Sequence, residues 1–328
     1  MADKKATKRN QYGKIKLFAG TASQELAQKI AEHLGLELEN HLMLEFPNEN
    51  LFPKLLNSVR GQDTYIIQTT STPVHRNFVE LLLMLQTLRL DSAARVTAVF
   101  PYMCYARSDK KDQPRVSIAA RLVADCISRE ADRYMTFDLH AGQIQGFFSI
   151  PGDVLSTFKI LVDYIKTLTP QMDDPVVVTA DLGFAKKARN FADHLHTPLA
   201  LIEKRRIGNE ARAKAMGIIG DISGRDVVLV DDEIDTGGSI VEAVEMVKQF
   251  GARDIYVSFV HPVLSLNAAE RLAALPVKEF VCTDTIPLPP EKLALFEGRL
   301  TVLTIADLLA EVILRANQGR SVGTLFDE

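Results

Sequence analysis

The chain has little of what marks secreted, membrane-embedded or nucleic-acid-binding proteins. Its three cysteines, Cys104, Cys126 and Cys282, lie far apart with no CxxC spacing, so no disulfide framework is indicated. At 328 residues it can fold without such staples, and a reducing cytoplasm is the expected setting. No run approaches the roughly 18 apolar residues that suggest a membrane span. The basic start MADKKATKRNQYGK has no apolar stretch behind it, which argues against a secretory leader. Net charge is only −4, so neither nucleic acid nor an anionic membrane is expected as a partner. A GxxxxGK(S/T) loop is also missing, which sets aside ordinary P-loop phosphoryl transfer. Any phosphate binding must come from a local arrangement.

Strand-like runs alternate with amphipathic runs over the whole length, and this predicts an α/β protein of two similar doubly wound domains. Each should hold a mainly parallel sheet flanked by helices. In the first half, strands are expected near 14–19, 42–46, 64–68, 95–100 and 133–137, with helices near 22–34, 75–89 and 116–130. In the second half, strands are expected near 175–180, 199–203, 226–231, 254–260, 278–282 and 300–304. Its helices fall near 156–167, 183–196, 238–250, 266–274 and 305–316. The predicted organisation is a disordered basic tail (1–13), a first domain (14–153), a second domain (154–316) and a C-terminal tail (317–328) that packs back on the body. The TTSTP stretch after Gln68 sits in the first half where an acidic loop sits in the second, which suggests two copies of one fold.

That acidic loop, within RDVVLVDDEIDTGGS (225–239), is the most informative segment. Val227 to Val230 read as a strand buried on both faces. The strand is expected to stop at Asp231 and Asp232, with Asp235, Thr236, Gly237, Gly238 and Ser239 leading into a helix. Backbone amides of Thr236 to Ser239 at a helix N-terminus can cradle a phosphate. Carboxylates would repel it, so Asp231 and Asp232 must face another part of the ligand, and vicinal hydroxyls suit them. A sugar phosphate satisfies both halves. Read alone, the loop also fits a solvated strand end followed by a Ser or Thr helix cap.

Other constellations punctuate the chain. Asp138 and His140 in FDLHAGQIQGFF end a strand two residues apart, and period-two geometry would put both on one face. A histidine there serves either a metal or nucleotide, or an internal hydrogen bond. Asp181 follows PVVVTA and precedes a helix, as a crevice ligand or an N-cap. In EKRR (203–206), Lys204 and Arg206 should point one way and Arg205 the other. The polar stretch 207–224 behind them would act as a mobile lid, or EKRR is a plain surface charge run.

VVLVDDEIDTGGS resembles the phosphoribosyl-diphosphate binding motif shared by phosphoribosyltransferases and ribose-phosphate diphosphokinases. The segments RGQDTYIIQTTSTP, FPYMCYARSDKK, FDLHAGQIQGFF, EKRR, MGIIGDISG and HPVLS, in order along the chain, are similar to the second, class I-like group. The resemblance implies type I phosphoribosyltransferase-like domains, ATP and ribose 5-phosphate as substrates, Mg²⁺ as cofactor, and a homo-oligomer, often a hexamer. It implies that Lys204 and Arg206 are catalytic and that His140 and Asp181 are metal ligands. It also assigns Asp231, Asp232, Asp235, Thr236, Gly237, Gly238 and Ser239 to ribose 5-phosphate. Phe46, Asn48, Asn50, Arg107, Ser108 and Asp109 are assigned to ATP.

Three segments depart from the family pattern. EFPNEN (45–50) stands where RFSDGE is usual, ADLGF (180–184) where PDHGG is usual, and Ser108 where glutamine is usual. The implied activity is transfer of the diphosphoryl group of ATP to the anomeric hydroxyl. A non-catalytic regulatory paralogue and a phosphoribosyltransferase are the alternatives.

Overall fold

The computed structural model describes residues 12–180, 182–205 and 214–325. Contacts divide the chain into two units, one formed by residues up to Leu155 together with those from Ala306, the other by Ser156–Ile305.

The first unit opens with β1 (Ile15–Ala19), α1 (Gln24–Leu34) and an antiparallel hairpin of β2 (His41–Glu45) and β3 (Leu51–Leu55). It continues with β4 (Asp63–Ile67), α2 (Val74–Leu90), β5 (Arg95–Val99), α3 (Ala119–Glu130), β6 (Arg133–Phe137) and β7 (Gly152–Leu155). The five-stranded sheet has the order β1-β4-β5-β6-β7 and is parallel throughout. Every residue of β4 and β5 is buried, as a parallel sheet covered on both faces requires. Phe18, Ile66 and Ala98 face α2 and α3 through Leu81, Leu85, Val123 and Ile127. Helix α1 buries Leu26, Ala27, Ile30 and Ala31 at helical spacing. It ends at Gly35, whose left-handed backbone lets its N–H reach the carbonyls of Ala31 and Glu32.

In the second unit, α4 (Phe158–Leu168), β8 (Val176–Thr179), α5 (Ala185–Leu195), β9 (Leu199–Arg205) and β10 (Lys214–Ile219) come first. Then follow β11 (Val227–Ile234), α6 (Gly238–Gln249), β12 (Ile255–Pro262), α7 (Ala268–Ala273), β13 (Glu279–Thr283), α8 (Pro290–Leu295) and β14 (Leu300–Leu303). The seven-stranded sheet runs β10-β9-β8-β11-β12-β13-β14, parallel except where β10 meets β9. Val227, Leu229, Val257 and Phe259 face α6. Val228, Val230 and Tyr256 face α4 and α5. From β8 the chain moves outward to β9, then returns to place β11 on the other side of β8. The strand order therefore reverses between β8 and β11, the position at which open α/β sheets leave a crevice beyond their carboxyl ends.

The last helix, α9 (Ala306–Gln318), belongs to the first unit and packs against α1. This differs from the expected second domain of 154–316. Asp63, fully buried, accepts hydrogen bonds from Arg95 Nε (2.7 Å), Tyr65 Oη (2.8 Å) and Asn317 Nδ2 (2.8 Å), so the end of α9 is tied to the sheet. Helical periodicity located this helix, but periodicity carries no information about which sheet it covers.

Three strands escape the sequence pattern. Pro53 lies in β3, opposite Met43, where a two-stranded ribbon tolerates the missing N–H. The run of β10 is broken by Gly217, where the register with β9 shifts. It occupies part of the stretch read as a polar lid. Strand β7 has only four residues.

Candidate functional site

In the second unit the acidic segment is built differently from its sequence reading. Strand β11 does not stop at Asp231. It continues to Ile234 beside an equally long β12, with Asp231 opposite Phe259, Glu233 opposite His261 and Ile234 opposite Pro262. Two long parallel partners keep pairing past the carboxylates because each added residue satisfies backbone groups that would otherwise need water. Successive side chains of a regular strand leave the sheet on opposite faces. Val227 and Leu229 face α6 and Val228 and Val230 the other side, but Ile234 also packs on the α6 side, so the alternation is not kept through Asp231–Glu233; Asp231 is half-buried, and Asp232 and Glu233 are largely buried. Each carboxylate of the pair accepts the next residue's amide, Asp231 from Asp232 (2.9 Å) and Asp232 from Glu233 (2.8 Å).

The turn that follows agrees with the expected phosphate cradle. Gly237 adopts φ +74° as the residue before α6, a conformation that favours glycine. The helix's hydrogen bonding begins with Val241 N–H to the Gly237 carbonyl (3.0 Å), and the preceding amides lie at its positive end. Asp235 is half-buried, Thr236 and Ser239 are exposed, and Gly238 is partly exposed. Neighbouring segments brace this turn. Leu264 N–H bonds the carbonyl of Ile234 (2.9 Å) and Ser265 N–H that of Asp235 (3.0 Å). Arg271 Nη1 donates to the Thr236 carbonyl (3.0 Å). His261, also buried, holds Thr285 Oγ1 through Nδ1 at 2.9 Å. Nothing in the spacing of Arg271 marks it in sequence, since only the packing of α7 brings it beside the loop.

Asp181 and Arg206 lie outside the described residues. Lys204 is on β9, which runs through to Arg205; the side chain of Lys204 is likewise outside the description. Asp181 follows β8 in the chain, and the acidic turn follows β11, so both belong to segments leaving the two strands that flank the reversal.

In the first unit, Asp138 and His140 do not alternate on a strand face. Strand β6 ends at Phe137, and Asp138 turns to φ +35° with its N–H on the Leu155 carbonyl (2.9 Å). Asp138 is buried and His140 exposed. The period-two rule fails here because it holds only within extended backbone. Asp109, also buried, accepts a hydrogen bond from Gln143 Nε2 (2.5 Å), which joins the 107–109 loop to the segment after His140. Arg107 is exposed. Ser108 uses its hydroxyl to start α3, accepting from Ala119 N–H and donating to the Ser117 carbonyl (both 3.3 Å). Phe46, Asn48 and Asn50 occupy the exposed tip of the β2–β3 hairpin, where Phe46 N–H bonds the Asn50 carbonyl (2.9 Å). The TTSTP loop is tied to the segment after β5: Thr70 Oγ1 donates to the Tyr102 carbonyl (2.7 Å) and accepts from Cys104 N–H (2.8 Å).

Residues 15–130 match the family described as the N-terminal domain of ribose phosphate pyrophosphokinase, and residues 209–327 match the phosphoribosyl synthetase-associated domain. The ribose-phosphate pyrophosphokinase of Caldanaerobacter subterraneus is 46% identical over 315 residues, 95% of this chain and 98% of its own. That of Deinococcus radiodurans is 44% identical over 312 residues, 94% of this chain and 97% of its own. The chain belongs to the ribose-phosphate pyrophosphokinase family. A crystal structure of phosphoribosylpyrophosphate synthetase from Mycobacterium smegmatis aligns with a TM-score of 0.87 at 38% identity, over 93% of this chain and 99% of that one.

A pyrophosphokinase fold is thus established for both units together with α9. Among the described residues no group of three or more His, Cys, Asp and Glu side chains could hold a metal ion. No helix among the described residues is long and apolar enough to cross a membrane.

Proposed function

We propose that this chain transfers the β,γ-diphosphoryl group of ATP to the anomeric hydroxyl of ribose 5-phosphate, giving AMP and 5-phosphoribosyl diphosphate. The anomeric oxygen forms a bond to the β-phosphorus, the bond from that phosphorus to the α,β-bridging oxygen breaks, and the hydroxyl proton passes to solvent. The observation that carries this reading is the acidic turn at the strand-order reversal. There, half-buried Asp231 and Asp235 stand beside a Gly237-initiated helix start.

In this reading the amides and hydroxyls of Thr236 to Ser239 bind the 5-phosphate, and Asp231 accepts hydrogen bonds from the ribose hydroxyls. Asp232 and Asp235 complete the acidic surround. Phe46, Asn48, Asn50, Arg107, Ser108 and Asp109 form the donor-nucleotide side. Lys204 and Arg206 stabilise charge developing on the transferring group and on departing AMP, which is positioning and electrostatics more than covalent work. His140 in the first unit and Asp181 in the second would each serve as a magnesium ligand, with water and phosphate oxygens completing the coordination, and the metal supplies charge neutralisation on the triphosphate when bound. A homo-oligomer, hexameric by resemblance, and a reducing cytoplasmic setting belong to the same proposal.

The test is AMP release from ATP plus ribose 5-phosphate by the purified protein alone, with GTP and CTP as alternative donors. AMP formation that requires both substrates supports the reading. Binding of both without AMP would assign the chain to a regulatory role, and consumption of a nucleobase with phosphoribosyl diphosphate would make it a phosphoribosyltransferase.

A further inference from the structure

Arg76, on the first turn of α2, joins three separate elements of the first unit. Its Nε donates to Oε2 of Glu45 (2.9 Å), the last residue of β2. Its Nη1 donates to Thr21 Oγ1 (2.8 Å), between β1 and α1, and to Oε2 of Glu80 (2.8 Å), one turn further along α2. Glu80 has no solvent-exposed side chain, and it also accepts from Thr21 N–H (2.7 Å) and Thr21 Oγ1 (2.5 Å). A buried carboxylate with this many donors is a fixed anchor, because losing any one of them leaves charge without water. Arg76 carries that fixity outward to Glu45, which is itself 44% exposed.

The hairpin needs such a hold. It is a two-stranded sheet of its own, hydrogen-bonded to no other strand among the described residues, and an isolated two-stranded ribbon is marginal in water. Met43 and Leu55 pack on the core below it, but the outward residues Leu42, Leu44 and Phe52 are 42–47% exposed and add little restraint. Glu45 is paired with Leu51 at the last rung before the turn that presents Phe46, Asn48 and Asn50. The ion pair therefore acts at the base of the tip.

We propose that Arg76 is a positioning residue that fixes the β2–β3 hairpin tip through Glu45 so that the tip can engage the purine nucleotide donor. This rests on the reading of the tip as part of the nucleotide side. The two polar ends have separate consequences. Glu80 secures Arg76 within the unit, and Glu45 transmits its position to the tip.

Calorimetric titration of magnesium-ATP and of ribose 5-phosphate into the full-length wild type, Glu45→Gln and Arg76→Ala tests it, together with amide exchange across residues 46–53. Glu45→Gln leaves the Arg76–Glu80–Thr21 cluster intact, so it separates tip positioning from folding. It is expected to weaken ATP binding about two- to fivefold, because the glutamine carbonyl still accepts from Arg76 but the charge of a partly exposed pair is lost, to leave ribose 5-phosphate affinity unchanged, and to speed exchange at the tip. Arg76→Ala should weaken ATP binding at least as much and lower the melting temperature as well. Unchanged ATP affinity in Glu45→Gln overturns the proposal, whether or not tip exchange speeds up, and so does wild type that binds no ATP. Wild type that binds ATP but releases no AMP fails the catalytic reading alone, and the affinity ratio still decides the role of Arg76.

Discussion

Arg253 grips Asp226 with two parallel hydrogen bonds, Nε to Oδ1 at 2.8 Å and Nη2 to Oδ2 at 2.6 Å, in the turns that lead into β12 and β11. The carboxylate of Asp226 is fully buried and also accepts the backbone N–H groups of Asp173 (2.8 Å) and Asp254 (3.1 Å). Burial by itself would raise its pKa, but the guanidinium and the two amides outweigh that and hold it below the ordinary aspartate value. A depressed carboxyl pKa contributes stability above the unfolded value of about 3.9, and that stability disappears as pH falls through the lower folded value. Asp226→Asn should cost about 2–4 kcal/mol near neutral pH. It should also flatten the acid limb of a plot of melting temperature against pH; an acid limb as steep as wild type would remove Asp226 from that role.

Gly237 holds φ +74°, and an added Cβ would meet Leu272 Cδ2 at an ordinary 3.6 Å. The cost of Gly237→Ala is thus conformational, about 1–2 kcal/mol. We expect a melting temperature lowered by a few degrees. Relaxation of the turn should raise KM for ribose 5-phosphate by about tenfold, corresponding to about 1.4 kcal/mol. Steady-state kinetics with each substrate varied would check the selectivity.

Leu266 is also left-handed, at φ +56°, yet it is 85% exposed and so gains little from burial. Leu266→Gly relieves the backbone at the expense of added freedom in the unfolded chain, for a net gain of about 0.5–1 kcal/mol. A higher denaturation midpoint with unchanged slope in urea is the expected result.

Lys204→Ala should lower turnover by about 10²- to 10³-fold while ribose 5-phosphate affinity stays near wild type, the pattern of a lost transition-state cation. Asp231→Ala should do the reverse and raise the sugar phosphate's dissociation constant by at least about tenfold, since a partly exposed charged acceptor is lost. Single-turnover rates and calorimetry separate the two. Normal turnover in Lys204→Ala would exclude it from the mechanism.

Asn317→Leu removes one donor from buried Asp63, where Arg95 and Tyr65 remain. The loss should be about 1–3 kcal/mol, with no change in substrate affinities. Thermal unfolding and calorimetry together would show whether α9 is a structural strap only.

The second half shows how far pattern reasoning reaches. Val227–Val230 was legible as a buried strand and Gly238–Gln249 as a helix, because burial on two faces and a 3.6-residue apolar period are local properties. The end of β11 was not legible, since whether Asp231 to Ile234 stay in the sheet depends on the length of β12 beside them. The same holds for Pro53, which reads as a strand breaker until its place in a two-stranded ribbon is known, and for Asp138, whose positive φ removes the alternation inferred from Phe137 onward.

Residue order alone determined the α/β class, the succession of most elements and the chemistry of the acidic, glycine-containing turn, because side-chain polarity and backbone preference act over a few neighbours. Tertiary structure decided which unit receives α9, that strand order reverses between β8 and β11, that β11 continues past Asp231 and Asp232 to Ile234, and that Arg76 reaches Glu45. Those outcomes depend on contacts between residues distant along the chain, whose partners are chosen only when sheets assemble and buried charges must find donors.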